Sequence, residues 1–462
     1  MIDDLRIHPG GEPGPRPAGE LVLYWMQSTH RAHDNFALDF AIEQANALRL
    51  PVVVYHGLRV DYPWASDRLH TFILEAVVDL YADFEARGIQ YGFYLDPGPG
   101  RRPARSPLVL LAERAALVVT DYFPTFIVPR QTRALRRKVE PPVVAVDSCT
   151  VVPLAFFDRA HLTAISFRSA LNPAVPHYLR RPESPEPRIQ RAIDLSFEPL
   201  VPTAATIPAL VAGLSIDHAV PPAIRGGTRA GRERLAEFLA TGLSSYAELR
   251  GDPTAEHATS RISPYLHFGN LSPHEVVLGA REAGAGQSSD KFQDEALVWR
   301  ELSYNFVQHD PKHRTVDAIP GWAREELRKG EADARPVLYT DAELEYARTG
   351  NELWNASQRA FLVDGWMHNV MRMLWGKAVL QWTPNAAECL RILEHLNNKY
   401  SLDGRDPSTY AGIHWIFGKF DRPFYRRPVY GTVRYQSLKA AAGKFDTEAY
   451  LSRHARELPG IG

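Results

Sequence analysis

Residues 353–382 read LWNASQRAFLVDGWMHNVMRMLWGKAVLQW, and the reading of this stretch decides what kind of fold the second half of the chain adopts. Trp354, Trp366, Trp375 and Trp382 fall in one mostly helical run, with Trp375 and Trp382 seven apart and so on one helix face. Taken alone, an aromatic stripe at this spacing is a packed core. Its company argues for more: Arg372 interrupts the apolar run, and the polar turn of LNNKYSLDGRDPSTYAGIHW (396–415) brings Asn397, Asp403, Arg405 and Asp406 close behind it. Charged groups beside a large apolar core are paired or bind something.

Moving outward, long amphipathic patterns and almost no strand-like runs fill residues 228–462, which predicts an all-α C-terminal domain. Residues 172–227 are rich in Pro and Gly without regular period and read as a linker. Before them, apolar runs of strand length alternate with helical patterns: LVLYWM (21–26), NFALDFAIEQANALRL (35–50), PVVVYHGL (51–58), a helix over 67–87, then IQYGFYL (89–95), ALVVTDY (116–122) and PVVAVD (142–147). This alternation predicts a doubly wound, Rossmann-like α/β domain with a parallel sheet over 21–171. No GxGxxG turn and no GxxxxGK[ST] loop is present. THRAHDN (29–35) follows the first strand, where open α/β sheets place ligands; for Arg31 and Asp34 a helix cap and surface charge are the simpler expectation. Residues 1–20, rich in Gly and Pro, are expected to form a flexible tail.

At 462 residues and 45% hydrophobic content, the chain supports two cores. A formal net charge of −1 gives no global pull toward nucleic acid or membrane, so such a partner must meet a local patch. Cys149 and Cys389 are too few for a disulfide framework or a cysteine metal site, and no metal is expected. No apolar run approaches a membrane span and no signal core opens the chain. A cytoplasmic monomer, nucleoid-associated if prokaryotic, is the expectation.

Three further segments carry chemistry. In ATSRISPYLHFGN (258–270), Ser263 before Pro264 suits a helix start, and hydroxyls converging on free amides make a competent diphosphate site or simply a well-capped helix. In KFQDEALVWRELSYN (291–305), Glu295 and Trp299 share a helix face and line one cavity, or form an exposed carboxylate beside a core ring. In GKFDRPFYRRPVYGTVRY (418–435), Lys419, Arg422, Arg426, Arg427 and Arg434 interleave with aromatic residues, as phosphate contacts with base stacking or as a solvated surface.

Together TSRISPYLHFGNLSP (259–273), DEALVWREL (294–302), WMHNVMRMLWGK (366–377) and LDGRDPSTYAGIHW (402–415) resemble, in order and spacing, the flavin-binding half of the DNA photolyase and cryptochrome family, and the match runs over essentially the whole chain. VLYWMQ (22–27), LWNASQ (353–358), the MRMLWGK and LQW pair, and NNKYSLDGRDP (397–407) resemble class II cyclobutane pyrimidine dimer photolyases more narrowly. The resemblance implies FAD in a U-shaped conformation in the helical domain, donating a light-driven electron to a flipped-out dimer in damaged DNA. By motif position it implies Tyr246, Thr259, Ser260, Arg261, Ile262 and Ser263 at the FAD phosphates and ribityl chain, Arg372 paired with Asp403 beside the ring, Asn397 near flavin N5, and Asp406 fixing the ring. It further implies Glu295, Trp299, Met373 and Trp415 around the lesion, with Asp421, Arg422, Arg426 and Arg427 at the mouth gripping DNA. Trp375, Trp354 and Trp382 match the class II electron relay, Tyr339 stands as an outer donor, Ile413 occupies the relay position of commoner classes, and Trp366 is left to packing.

Asn369 of the MHN triplet and Arg261 look like other classes, which implies a divergent member. The N-terminal domain would house an antenna such as 8-hydroxy-deazaflavin. Three alternatives stay open: a cryptochrome-like photosensor, a (6-4) photolyase, for which His414 is expected to point away from Trp415, and a non-photochemical flavin or nucleotide enzyme.

Overall fold

In the computed structural model, which describes residues 2–10, 14–16 and 18–455, the apolar runs of the first third of the chain pair into one six-stranded sheet. Its strands are β1 (Ile7–His8), β2 (Leu21–Met26), β3 (Val52–Leu58), β4 (Gln90–Leu95), β5 (Ala115–Asp121) and β6 (Val143–Val146), in the order β1-β6-β5-β2-β3-β4. All neighbours are parallel except β1 and β6. Every residue of β2 and β5 is buried, as continuous apolar strands covered on both faces must be. The alternation of side chains divides the covering helices. Val22, Tyr24 and Met26 pack with α1 (Phe36–Leu48) and α2 (Asp67–Ala86), while Leu21, Leu23 and Trp25 pack with α3 (Pro107–Arg114) and α4 (Val128–Arg136). The doubly wound expectation is met, and its switch point lies between β2 and β5.

The expected flexible tail is corrected over part of its length. Asp4–Arg6 forms a 3-10 turn, β1 pairs Ile7 with Val146, and the buried Arg6 guanidinium donates to the carbonyls of Asp147, Thr150 and Val151. A two-residue strand leaves no periodicity to read. Residues 11–13 and 17 of that segment lie outside the described residues. Residues 172–227 contain short helices at Val175–Tyr178 and Ile207–Ala212, and they lie against the sheet domain through bonds such as Leu200 N–H to Phe93 O at 3.0 Å.

The remainder is helical. The tryptophan-rich stretch is two helices rather than one run: α5 (Glu352–Asp364), capped by Asn351, ends at Gly365, whose φ of 63° is free only to glycine, and α6 (Asn369–Gln381) follows. Then come α7 (Ala386–Tyr400), capped by Asn385, and α8 (Pro407–Ile416), whose N-cap Asp406 accepts from the Ser408 amide at 2.8 Å. Their apolar faces build one core containing Trp354, Trp375, Trp382, Leu393 and Ile416. Among the described residues no helix is long and apolar enough to cross a membrane.

Two buried arginines lock the halves together. Arg68 of α2 donates to Phe361 O at 2.8 Å, Leu362 O at 2.7 Å and Tyr400 O at 2.6 Å, carbonyls in the last turns of α5 and α7. Arg31, expected as cap or surface charge, instead donates to Gly269 O and Ser148 O at 2.9 Å, and the cap of α1 is Asn35. Asp34 takes a positive φ of 51° and presents its carbonyl to Arg31 at 3.0 Å. A guanidinium with five donors can satisfy several carbonyls at once, which is why arginine rather than lysine fills these joints.

Candidate functional site

A cavity of about 290 Å³ opens between α6, α7 and α8 and the short helix Ser263–His267. One wall of α8, Thr409, Gly412, Ile413 and Ile416, faces it at helical spacing. Across from this wall stand Arg372, Met373, Trp375 and Gly376 of α6, with Asn397 of α7 and the Asp403–Asp406 turn.

The charges gathered by the LDGRDP turn are organised as a network. Arg372 meets Asp403 at 3.2 Å, with both side chains largely buried, and Asp403 also accepts from the hydroxyls of Ser263, at 2.6 Å, and Ser401. Burial works to raise the Asp403 carboxyl, but Arg372 and the two hydroxyls outweigh it and hold the group below its usual value. Asp406 is held low in the same sense: burial opposes, and His267 at 3.3 Å, Arg300 and the Ser408 amide prevail. Tyr304 adds a hydroxyl donor to Asp406 at 3.1 Å. Burial pushes the His267 imidazole down despite its contact with Asp406. Arg372 Nε is buried without a partner, a donor at the cavity wall left for a ligand.

From the cavity wall an aromatic chain runs outward. Trp375 stacks on Trp354 with ring centroids 6.1 Å apart and planes at 10°. Trp354 meets Trp382 at 5.5 Å, and Trp382 meets Tyr339 at 5.1 Å. The indole N–H groups are fixed too, Trp354 donating to Trp375 O at 3.1 Å and Trp375 to Gln358 Oε1 at 3.0 Å.

Of the residues expected at the cofactor, Ser263, Arg372, Asn397, Asp403 and Asp406 line this cavity, whereas Tyr246, Thr259, Ser260, Arg261 and Ile262 stand outside its wall. The hydroxyl of Ser263 binds Asp403 and does not cap its helix, a correction that follows from the stronger pull of a buried carboxylate. The carbonyls of Thr259 and Ser260 accept from Arg234, each at 2.8 Å, and Tyr246 packs against Phe238 and Phe292. Trp366, left to packing, is corrected: it lines the cavity and lies 4.6 Å under the Arg261 guanidinium. Asn397 donates to Leu393 O at 2.7 Å, which leaves its side-chain oxygen as an acceptor.

Of the lesion set, Met373 lines the cavity; Glu295, Trp299 and Trp415 do not. Glu295 and Trp299 bound a π-type turn inside the helical stretch 287–309, where a regular α-helix was expected. Glu295 meets Arg250 at 3.0 Å and Lys291 at 3.1 Å. Asp421 does not stand free at the mouth: its carboxylate is buried against Arg434 at 2.6 Å. Arg426 pairs with Glu326 at 2.7 Å, Arg427 lies over Tyr435 and Arg422 over Phe424. His414 binds His313 O at 2.8 Å and packs edge-on to Phe306, away from the cavity wall.

A second cavity, of about 520 Å³, lies at the carboxyl ends of β2 and β3, lined by Gln27, Ser28, His56, Gly57 and Tyr62, and closed on the helical side by His267 and Arg405. His267 borders both cavities. Sequence reasoning missed His267 and Arg300 altogether; the one-face spacing of Thr409, Gly412, Ile413 and Ile416 was a legible signal.

The DNA photolyase family pattern matches residues 22–164. Over 454 residues, 98% of this chain and 98% of the relative, the sequence is 35% identical to the deoxyribodipyrimidine photo-lyase of Methanothermobacter thermautotrophicus. The chain belongs to the photolyase/cryptochrome family. The photo-lyase of the same name from Arabidopsis thaliana is 33% identical, over 93% of this chain and 88% of that protein. The fold matches that of an archaeal photolyase from Sulfolobus tokodaii whose crystal structure holds two FAD molecules, with a TM-score of 0.67, 16% identity, and coverage of 95% of this chain and 91% of that one. The enzyme class expected from the sequence is the name its curated photolyase relatives carry.

Proposed function

We propose that this photolyase-family chain is a light-driven class II deoxyribodipyrimidine photo-lyase that splits cyclobutane pyrimidine dimers in DNA with FAD held in the α6–α7–α8 cavity. The observation that carries the reading is the aromatic chain Trp375–Trp354–Trp382–Tyr339, which begins on the cavity wall and whose steps are 5.1–6.1 Å. Beyond its packing in the core, such a chain, starting at a cavity wall, suits electron transfer to a redox cofactor held there, and Ile413 stands on the cavity wall at the position the commoner classes use instead.

The residues present fit FAD. Arg372 offers an unpartnered Nε, Asn397 a free side-chain acceptor, and Gly412, where a Cβ would meet only Met373 Cε at 4.0 Å, leaves the α8 face open at that position. Arg372, Asn397, Asp403, Asp406 and Ser263 would hold the cofactor, which when bound and reduced supplies a light-excited electron donor. The Arg372–Asp403 pair fixes a positive charge at the wall while its carboxylate stays ionised, so the site is electrostatically set before any substrate enters. Glu295, Trp299, Met373 and Trp415 would wall the flipped dimer with one hydrogen-bonding carboxylate and broad apolar faces, at lower extrusion cost than for an intact pair. Arg422, Arg426, Arg427 and their aromatic neighbours would grip the flanking strand, and binding would weaken with salt. The second cavity would take an antenna pigment such as 8-hydroxy-deazaflavin.

The test is to photoreduce the flavin-loaded protein without oxygen, add an oligonucleotide with one cis-syn thymine dimer, and follow thymine absorbance in light and dark. Recovery only in light supports repair. No recovery from a photoreducible protein overturns it and leaves a photosensor.

A further inference from the structure

Lys377, next to Gly376 in α6, is wholly buried, a rare state for lysine, and no step of the proposed reaction uses it. Its ammonium donates to the carbonyl of Ile416 at 2.7 Å, in the last turn of α8, and stands 5.1 Å from the centroid of the Trp415 ring. Both contacts are places where a cation is favoured. The final carbonyls of a helix lack helical partners and carry the negative end of its dipole. An indole face attracts a cation at this range.

Close helix packing makes the reach possible: at Gly376 a Cβ would fall 2.8 Å from Ile416 Cδ1. The same indole has a second cation nearby, since Arg434, held by Asp421, stands 5.7 Å from it.

We propose that Lys377 is the positioning residue for Trp415, fixing the last turn of α8 and the indole together so that affinity for the dimer follows the charge on Lys377. This rests on the assignment of Trp415 to the lesion wall. The groups facing the amine are Asp421 and Arg434 from the segment after α8, Cys389 from α7, and the Trp415 ring and Ile416 carbonyl of α8, while the Tyr430 hydroxyl donates to the backbone carbonyl of Lys377 itself. Burial draws the amine down to about 7, Asp421 opposing and Arg434 adding to the fall. The ammonium is therefore present below about pH 7 and lost above it, and dimer affinity falls as pH rises through that value.

The experiment measures binding of dimer-containing and undamaged oligonucleotides to flavin-loaded wild type, K377M, K377R and W415A across neutral pH. The expected result is that K377M binds the dimer about two- to thirtyfold more weakly than wild type at low pH, with undamaged binding retained and the pH dependence gone. K377R, permanently charged, is expected to keep affinity at high pH. A flat wild-type profile, or K377M with wild-type affinity and profile, overturns the proposal. So does equal loss in K377M and K377R, which signals packing alone. If W415A binds the dimer as wild type does, the lesion-wall assignment falls too; if only W415A weakens, this inference falls alone.

Discussion

The indole of Trp354 lies parallel to that of Trp375 at 10° and 6.1 Å, and its N–H is tied to the Trp375 carbonyl at 3.1 Å. Two wholly buried rings on different helices are thus held in one orientation by a bond from one side chain to the other's backbone. Trp354→Phe keeps an aromatic ring but removes that bond and the central indole. The expected outcome is severe slowing of flavin photoreduction in flash spectroscopy, while protein reduced chemically beforehand still repairs. The stability cost stays below the roughly 3–5 kcal/mol of truncating a buried tryptophan to alanine.

Arg372 and Asp403 form the central ion pair of the cavity. Arg372→Met leaves Asp403 buried with only the hydroxyls of Ser263 and Ser401, and Asp403→Asn leaves a buried guanidinium uncompensated. Each single change is expected to cost about 3–5 kcal/mol in denaturant unfolding and to lower flavin retention, whereas the double change costs less than the sum. Additivity of the two would show that the pair is not coupled.

Acid sensitivity follows from buried histidines. Burial holds His30, His368 and His414 at about 4, against about 6.5 in an unfolded chain. Between these values the unfolded state binds more protons, so stability falls as pH drops from about 6.5 toward 4, each group contributing on the order of 2–3 kcal/mol. Asp403 and Asp406, held low, add a loss that begins as pH falls through the ordinary carboxylate range and continues below it. Urea midpoints against pH check this, and a flat profile over that window would refute it.

Lys377 acts at the opposite end. Its amine is depressed to about 7, so above that pH the unfolded chain holds a proton that the folded one has released, and stability gains from Lys377 as pH rises toward about 10. K377M is expected to remove that rise.

Gly404 presses on backbone: a Cβ there would meet Asn397 O at 2.6 Å, Asn398 Cα at 3.0 Å and Ser401 O at 3.0 Å. None of these can swing aside. Gly404→Ala is expected to cost about 1–3 kcal/mol or more and to loosen the Asp403–Asp406 turn, seen as weaker flavin retention together with a lower melting temperature.

The sequence by itself determined the parallel sheet and the all-α second half, because period and strand length are local signals, and it marked Arg372 as a charge that needs a partner, while its pairing with Asp403 came from the resemblance alone. What only the tertiary structure decided depends on contacts between residues far apart in the chain. The strand at Ile7–His8 exists because β6 offers an edge, and Arg31 is buried because Gly269 and Ser148 present carbonyls to it. The Ser263 hydroxyl turns from its helix to Asp403, 140 residues away, and Asp421 is drawn inward by Arg434. Trp366 becomes a cavity wall only once Gly365 turns the chain. Lys377 is buried because α8 closes over it and offers the Ile416 carbonyl. Arg31, Ser263, Asp421 and Lys377 each took the partner that compensates burial, and nothing in the spacing of residues along the chain says which partner folding will bring.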